Sequence, residues 1–420
     1  MDTNAAAFVN ANRLWERHME MARHGATHAG GVNRQALSNE DFAARRALID
    51  WGASIGLTAC HDAAGNLFLR LAGTDAGAAP VMTGSHMDSQ PTGGKFDGIY
   101  GVLAGLEALQ AFREAGIVPQ RPIELVAWMN EEGSRFAPGM MGSSVFAGAA
   151  TLESIVPVTD AQGTSVGQEL RRLQVAFGDL PICPLGRAVH AYVEAHIEQG
   201  PVLEREGLSV GVVSGIQGKR TFAVTVTGEE SHAGTSRRAE RRDALLCAIA
   251  SIQAMAAEFH DPEDLVRFTV GRFDVTPNAP SVVPGSVRFS IDLRHPDSSV
   301  LIRLGDEVEA ICRQHALPCA VQVLELSTAM SLEFPRRVRD IIRQAANEQA
   351  IATLDIPSAA GHDARYLHAV CPSGMIFVPC KDGISHNEAE SATAQDLADG
   401  ARVLTATLVR LACADAPHRV

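Results

Sequence analysis

Residues 81–105 read VMTGSHMDSQPTGGKFDGIYGVLAG. An apolar start, Val81-Met82, runs into a polar segment that carries His86 and Asp88. The turn formers Pro91-Thr92-Gly93-Gly94 follow, and Asp97 stands at the mouth of an apolar helix. A buried strand that delivers a His and an Asp at its carboxyl end, then a glycine-rich loop and a second Asp, is a way for an α/β protein to display metal ligands.

Three further strands predicted from the sequence end in the same kind of residue. Ile123–Met129 is a continuous apolar run, as expected of a strand buried on both faces, and it leads into Asn130-Glu131-Glu132-Gly133. Adjacent carboxylates directly after a buried strand are costly unless a cation or catalytic duty holds them. Val189–Ala195 stops at His196-Ile197-Glu198-Gln199, and Met375–Val378 leads through a loop to Ser385-His386-Asn387-Glu388. Ligands bind open α/β sheets at this carboxyl edge. The expected fold class is therefore α/β, a mixed and mostly parallel sheet flanked by helices. Helical spacing over Ala5–Met21 and Gly98–Ala115, and a capping box at Ser38–Asp41 opening a helix to about Ile55, supply the flanking layers. Short strands are expected at Leu57–His61, Asn66–Leu71 and Pro80–Thr83.

From about Gly215 the pattern changes. Thr221–Thr227 alternates, Arg241–Phe259 is amphipathic, Val266–Phe273 and Val287–Leu293 read as strands, Ser298–His315 as a helix and Cys319–Leu324 as a last strand. The order β-α-β-β-α-β is the ferredoxin-like arrangement. Residues 1–214 with 330–420 are thus expected to form one domain, and 215–329 a second, inserted domain.

The 36 Lys and Arg against 49 Asp and Glu give a net charge of −13. That balance argues against nucleic acid or an anionic membrane as partner. No apolar run approaches the roughly 18–20 residues of a spanning helix, and the first twenty residues lack the apolar core of a secretory signal. The 8 cysteines contain no C-x-x-C pair, which fits reduced thiols in a cytoplasmic protein, mostly core filler. Cys371 and Cys380 are read the same way. P-loop, serine-hydrolase and zincin signatures are absent. The basic run Arg237-Arg238, Arg241-Arg242 is interleaved with Glu240 and Asp243 and reads as a solvated face.

The candidate ligands are His86, Asp97, Glu132, His196 and His386. Such a set suits Zn²⁺, Mn²⁺, Co²⁺ or Ni²⁺ and does not choose among them. Five ligands are too many for one open catalytic zinc but fit two divalent ions sharing a carboxylate, for which Asp97, in a glycine-flanked turn, is the natural bridge. Glu131 is then left to act as general base, and Asp88 to steady His86 from behind.

Taken together, GSHMDSQPTGGKFDG, NEEGSRFAP, AHIEQGP, SHAGT, DLRHP, AGHDA and DGISHNEAE resemble the motifs of the metal-dependent amidohydrolases of the M20 metallopeptidase group. The resemblance is to N-carbamoyl-L-amino acid hydrolase, β-ureidopropionase and allantoate amidohydrolase, and it runs in order from about Val81 to the C-terminus. It implies two divalent ions, zinc favoured, on the five ligands above, with Glu131 as base. It further implies a catalytic di-metal domain and a lid domain that forms a homodimer. Within the lid, His232 would stabilise the oxyanion and Arg294 would clamp the substrate carboxylate. Gln199 would contact the ureido group, and Gly361 would line the pocket. The expected reaction is hydrolysis of the ureido C–N bond of an N-carbamoyl amino acid. Allantoate hydrolysis, an M20-type dipeptidase or aminoacylase, and an inactive binding module are the alternatives. Three departures stand out. Ser281 replaces an Asn that contacts substrate in most relatives, with Asn278 nearby to substitute. Ser236-Arg237 replaces Thr-Pro, and Ala359 occupies a usual Gly position.

Overall fold

The computed structural model describes residues 4–413. The chain divides into two compact units. One runs to Ser214 and resumes at Phe334; the other is Gly215–Glu333.

The first unit is built on a mixed sheet. Its strands include β1 (Thr58–His61), β2 (Leu67–Leu71), β3 (Val81–His86), β4 (Ile123–Trp128), β5 (Ala191–Ile197) and β6 (Val210–Ile216). The order across the sheet is β1-β2-β4-β3-β5, then the strand Ser373–Val378, then β6. β3 lies parallel to β4 and to β5, and Ser373–Val378 lies parallel to β5. β1, β2 and β6 pair antiparallel at the flanks. Parallel pairing runs through the four central strands, with antiparallel pairs at both flanks, so the sheet is mixed. The reason at one flank is local. Asp62–Asn66 turns β1 into β2 within five residues, with the Asp62 carboxylate accepting the Ala64 and Asn66 N–H groups, and so short a link joins only antiparallel strands.

The four central strands are buried along their whole length, as parallel strands covered on both faces must be. The helix Ile99–Glu114 is nearly all buried and packs on β3 and on the helix Ala394–Ala412. Gly101 permits that approach, since a Cβ there would stand 2.2 Å from the Ala195 carbonyl oxygen. Ser38 caps the helix Asn39–Ser54 by accepting from the Asp41 N–H, but the Asp41 carboxylate accepts the Leu37 N–H and not that of Ser38, so half of the expected capping box forms. The consequence for function is positional: the carboxyl ends of β4, β3, β5 and Ser373–Val378 lie side by side. β5 also runs further than the sequence suggested, so that His196 lies inside it, because Phe377 and Val378 continue the pairing opposite His196 and Ile197.

In the second unit the antiparallel order is Phe273–Thr276, Ser286–His295, Gly218–Thr227, Ala320–Ala329, with Arg267–Thr269 also beside Ser286–His295. Val224, Val226, Val287, Phe289, Ile291 and Leu293 face the helices Ala244–Glu258 and Ser298–His315. The single strand expected over Val266–Phe273 is two short ones, Arg267–Thr269 and Phe273–Thr276. Gly271 sits in the break, where glycine weakens a strand. The chain enters and leaves this unit side by side, Ile216 pairing with Leu332 and Gly215 with Glu333.

Candidate metal centre

Asp97 projects from the turn before the helix Ile99–Glu114 and uses its two carboxylate oxygens differently. Oδ1 faces His196 Nε2 at 3.3 Å and His86 Nε2 at 3.8 Å. Oδ2 faces His386 Nε2 at 3.3 Å, and the same imidazole nitrogen is 3.3 Å from Glu132 Oε2. Two groups of donor atoms result, His86–Asp97–His196 and Asp97–Glu132–His386, each gathered within 4.8 Å and sharing Asp97. Glu131 stands beside the first group, its Oε2 at 3.6 Å from His86 Nε2.

The tautomers suit cation binding. His86 Nδ1 lies 2.9 Å from the Asp88 carbonyl oxygen, and His196 Nδ1 lies 2.9 Å from the Ile197 carbonyl oxygen. A carbonyl accepts and never donates, so in the neutral ring each Nδ1 carries the proton and each Nε2 turns a lone pair toward Asp97. Gly98, with φ +64°, makes room: a Cβ there would stand 2.2 Å from His86 Nε2.

Asp88 stands behind His86: its main-chain carbonyl accepts from the ring, and its Oδ1 lies 3.8 Å from the same Nδ1. Its carboxylate also accepts the N–H groups of Glu131 and Glu132, each at 3.2 Å, and so sets the backbone that carries both. Gln90 donates to Glu132 Oε2 at 2.8 Å. Gln199 and Ser385 donate to Asp97 Oδ2 at 3.0 and 2.8 Å, which ties Gln199 to the carboxylate that both donor groups share. Asn130, Gln199 and His386 all take left-handed backbone, with φ of 56°, 56° and 53°. Such conformations cost ~1–3 kcal/mol each in non-glycine residues and cluster at functional sites.

The electrostatics point the same way. Burial raises the Glu132 carboxyl to about 8, with Asp97 adding to the effect. Burial, then Asp363 and the neighbouring Glu132, hold Glu131 well above the carboxylate range. Burial opposes charge on His196, but Asp97 outweighs it and lifts that imidazole to about 9; the Asp97 hydrogen bond likewise lifts His386 to about 9. Among the described residues, the ionic partners of Asp97, Glu131 and Glu132 are imidazoles, with no lysine or arginine. A buried acid cluster without such a partner fits divalent cations.

The remaining sequence candidates are placed as follows. Gly361 precedes His362, whose ring packs edge-on against His196 at 4.5 Å between centroids. In the second unit, His232 Nδ1 accepts the N–H groups of Gly234 and Thr235 at 3.0 and 3.2 Å, which leaves the proton on Nε2 in the neutral ring. Ser231–His232 pairs with Val282–Val283, and the Ser281 carbonyl accepts from Ala233 N–H at 2.9 Å. Asn278 and Ser281 both have positive φ. Ser236, in the altered loop, receives the Arg241 guanidinium on Oγ at 3.1 Å. Arg294 is held by Asp292, Nε to Oδ1 at 2.8 Å and Nη2 to Oδ2 at 3.2 Å. The thiol of Cys380 is buried and pushed up to about 12 by that burial, which suits a filler and not a nucleophile.

Sequence reasoning missed Gln90, Ser385 and Glu390 as members of the site. Glu390 lies in the DGISHNEAE run, yet nothing in spacing shows that a carboxylate there reaches back to the Asp97 turn, where it accepts the Phe96 and Asp97 N–H groups.

Comparison with known proteins agrees with this geometry. The model of peptidase family M20/M25/M40 matches residues 82–410. An N-carbamoyl-L-amino-acid amidohydrolase of Rhizobium meliloti is 40% identical over 94% of this chain and 95% of its own. Allantoate amidohydrolase of Bacillus subtilis (strain 168) is 34% identical over 93% and 95%. The crystal structure of an amidase of the hydantoinase/carbamoylase family from Burkholderia multivorans is 45% identical, covers 97% of this chain and 99% of that one, and superposes with a TM-score of 0.89.

Proposed function

This chain belongs to peptidase family M20/M25/M40, and on that premise we propose that it is a metal-dependent amidohydrolase that cleaves the ureido C–N bond of an N-carbamoyl-L-amino acid. The observation that carries the reading is the divided Asp97 carboxylate, one oxygen toward His86 and His196 and the other toward the partner group of Glu132, His386. Identity to the Rhizobium carbamoylase, at 40%, is above the 34% to the Bacillus allantoate enzyme and supports the first substrate, with allantoate as the close alternative.

His86, Asp97 and His196 would hold one divalent cation and Asp97, Glu132 and His386 the other, zinc being the ion the family resemblance favours. The chemistry such a pair supplies when bound is polarisation of the ureido carbonyl and a lowered pKa for water. Glu131 takes the proton of the attacking water at its carboxylate and returns it to the leaving nitrogen. His232, donating from Nε2, stabilises the negative charge that develops on the ureido oxygen. Arg294 binds the substrate carboxylate through its planar fork, and Gln199 holds the ureido group. The products are the free amino acid and carbamate, which decomposes to CO₂ and ammonia.

The unit Gly215–Glu333 is proposed as a lid and as the dimer contact. Its edge strand Ala320–Ala329 exposes Leu324 and Leu326, and an uncovered apolar edge invites pairing with a second copy. Eight free cysteines suit a reducing, cytoplasmic setting. Among the described residues no helix is long and apolar enough to cross a membrane.

A substrate panel on metal-loaded protein tests the reading. Ammonia release from N-carbamoyl-L-amino acids, exceeding that from allantoate, with dipeptides uncleaved, is the expected outcome. A higher kcat/KM on allantoate reassigns the substrate, and dipeptide cleavage without ureido hydrolysis refutes the proposal.

A further inference from the structure

The open face of the sheet in Gly215–Glu333 carries an unusual row of charge. In the antiparallel register Arg294 lies directly opposite Lys219 on one side and Arg267 on the other. Residues opposite one another in a sheet share a face, so three cations stand abreast across three strands. The face is the one turned away from the helices, since Leu293 and His295, flanking Arg294, are buried. Directly opposed like charges destabilise a sheet.

Two acids moderate the row, and they do so unequally. Arg267 has its own partner in Asp264, at 2.8 Å. Lys219 and Arg294 both meet Asp292, which lies two residues from Arg294 on the same face. Lys219 Nζ is 3.2 Å from Asp292 Oδ2, and Arg294 Nε is 2.8 Å from Oδ1. Asp292 thus takes the Arg294 guanidinium with both oxygens, which fixes its plane, and offers Oδ2 to the Lys219 ammonium as well. Burial alone would raise the Asp292 carboxyl, but its bonds to Arg294 and Lys219 outweigh it and hold the group below its ordinary range. The trio keeps a surplus positive charge. All three side chains remain about a third exposed or more, at 41% for Lys219, 31% for Asp292 and 30% for Arg294. Solvent-facing cations of this kind, set by a shared acid, are arranged to receive an anion.

We propose that Lys219 is a specificity-determining residue, its ammonium standing with the Arg294 guanidinium as a two-cation seat for the substrate carboxylate, with Asp292 as the positioning residue that holds both heads. This rests on the reading of Arg294 given above and adds two residues to it. It selects substrates that carry a free carboxylate over those in which it is capped as an amide.

Steady-state kinetics on the metal-loaded enzyme test it, using an N-carbamoyl-L-amino acid and the corresponding carboxamide, the latter as substrate or inhibitor. Lys219→Gln is expected to raise KM for the acid about tenfold, the worth of one charge-assisted hydrogen bond, with kcat within about twofold. Affinity for the carboxamide should not move, and the rise of KM with added salt should flatten. Asp292→Asn should raise KM for the acid, and Asp292→Glu should recover most of the loss. Lys219→Gln should also melt no lower than the parent, because removing one of two opposed cations relieves repulsion. If Arg294→Gln raises KM for the acid while Lys219→Gln does not, the two-cation seat is refuted and the Arg294 reading survives. If Arg294→Gln leaves KM unchanged, the carboxylate reading itself falls. Equal losses on acid and carboxamide in Lys219→Gln also refute the proposal.

Discussion

Glu390 reaches Asp97 through the backbone. One carboxylate oxygen, Oε1, accepts the Phe96 N–H at 2.8 Å and the Asp97 N–H at 3.1 Å, while Oε2 lies 3.3 Å from Ser385 Oγ. Ser385 in turn donates to Asp97 Oδ2. A single buried side chain thus joins the turn that presents Asp97 to the loop that presents His386. Groups that orient ligands in this way are worth roughly 10–100-fold in metal affinity. Glu390→Ala should therefore weaken divalent-ion binding by about that factor, measured by calorimetry on metal-free protein, with far-ultraviolet circular dichroism unchanged. Unaltered affinity would show that the turn holds its shape unaided.

Glu131 sits beside the ligand groups without being needed in either. Glu131→Gln should keep its full complement of metal, counted by elemental analysis, and lose about 10²–10⁴ in kcat. Loss of metal with a proportionate loss of activity would make Glu131 a ligand instead.

The His86 ring and the Gly98 backbone are in close apposition, and Gly98 has positive φ. Gly98→Ala forces either the ring or the turn to move, and displacement of about 1 Å at a reacting centre costs about 10²-fold. A fall of that size in kcat/KM is expected; near-parental activity would mean that the turn relaxes without disturbing His86.

His18 supplies a pH signature remote from the ligands. Fully buried, it donates from Nδ1 to the Leu14 carbonyl at 2.8 Å, and burial lowers its pKa from 6.5 to about 4. Between those values the unfolded chain binds a proton that the folded chain refuses, so folded stability falls as pH drops from 6.5 toward 4. The loss is complete below about 4. At ~1.4 kcal/mol per pH unit the whole effect is about 3 kcal/mol. In His18→Asn, urea-unfolding free energies measured from pH 7 to pH 4 should fall less than in the parent. Parallel curves would show that His18 is not a source of acid sensitivity.

Much of the first unit was legible because its chemistry follows strand ends. The strands Val81–His86, Ile123–Trp128, Ala191–Ile197 and Ser373–Val378 each carry an apolar stretch, and a metal-capable residue stands at the strand end or in the loop that follows. What the sequence did not reveal depends on which strands become neighbours. Only the observed order, β4-β3-β5 and then Ser373–Val378, brings Glu132 and His386 to one oxygen of Asp97 and His86 and His196 to the other. The same holds for supporting groups. Asp88 was expected behind His86, where its carbonyl stands, but nothing in the sequence showed that its carboxylate also serves Glu131 and Glu132 some forty residues on. Glu390 and Ser385 act through backbone amides and hydroxyls, which leave no pattern in spacing. The strand break at Gly271 was likewise hidden, because Val266–Phe273 is apolar enough to read as one element.

The divided role of Asp97 is tested most directly by anomalous diffraction from crystals grown with zinc or manganese. Two peaks are predicted, one among His86, Asp97 and His196 and one among Asp97, Glu132 and His386, separated by about 3.5–4 Å as in two-metal sites generally. A single peak that leaves one Asp97 oxygen without a metal, or no peak among these side chains, would contradict the two-metal account.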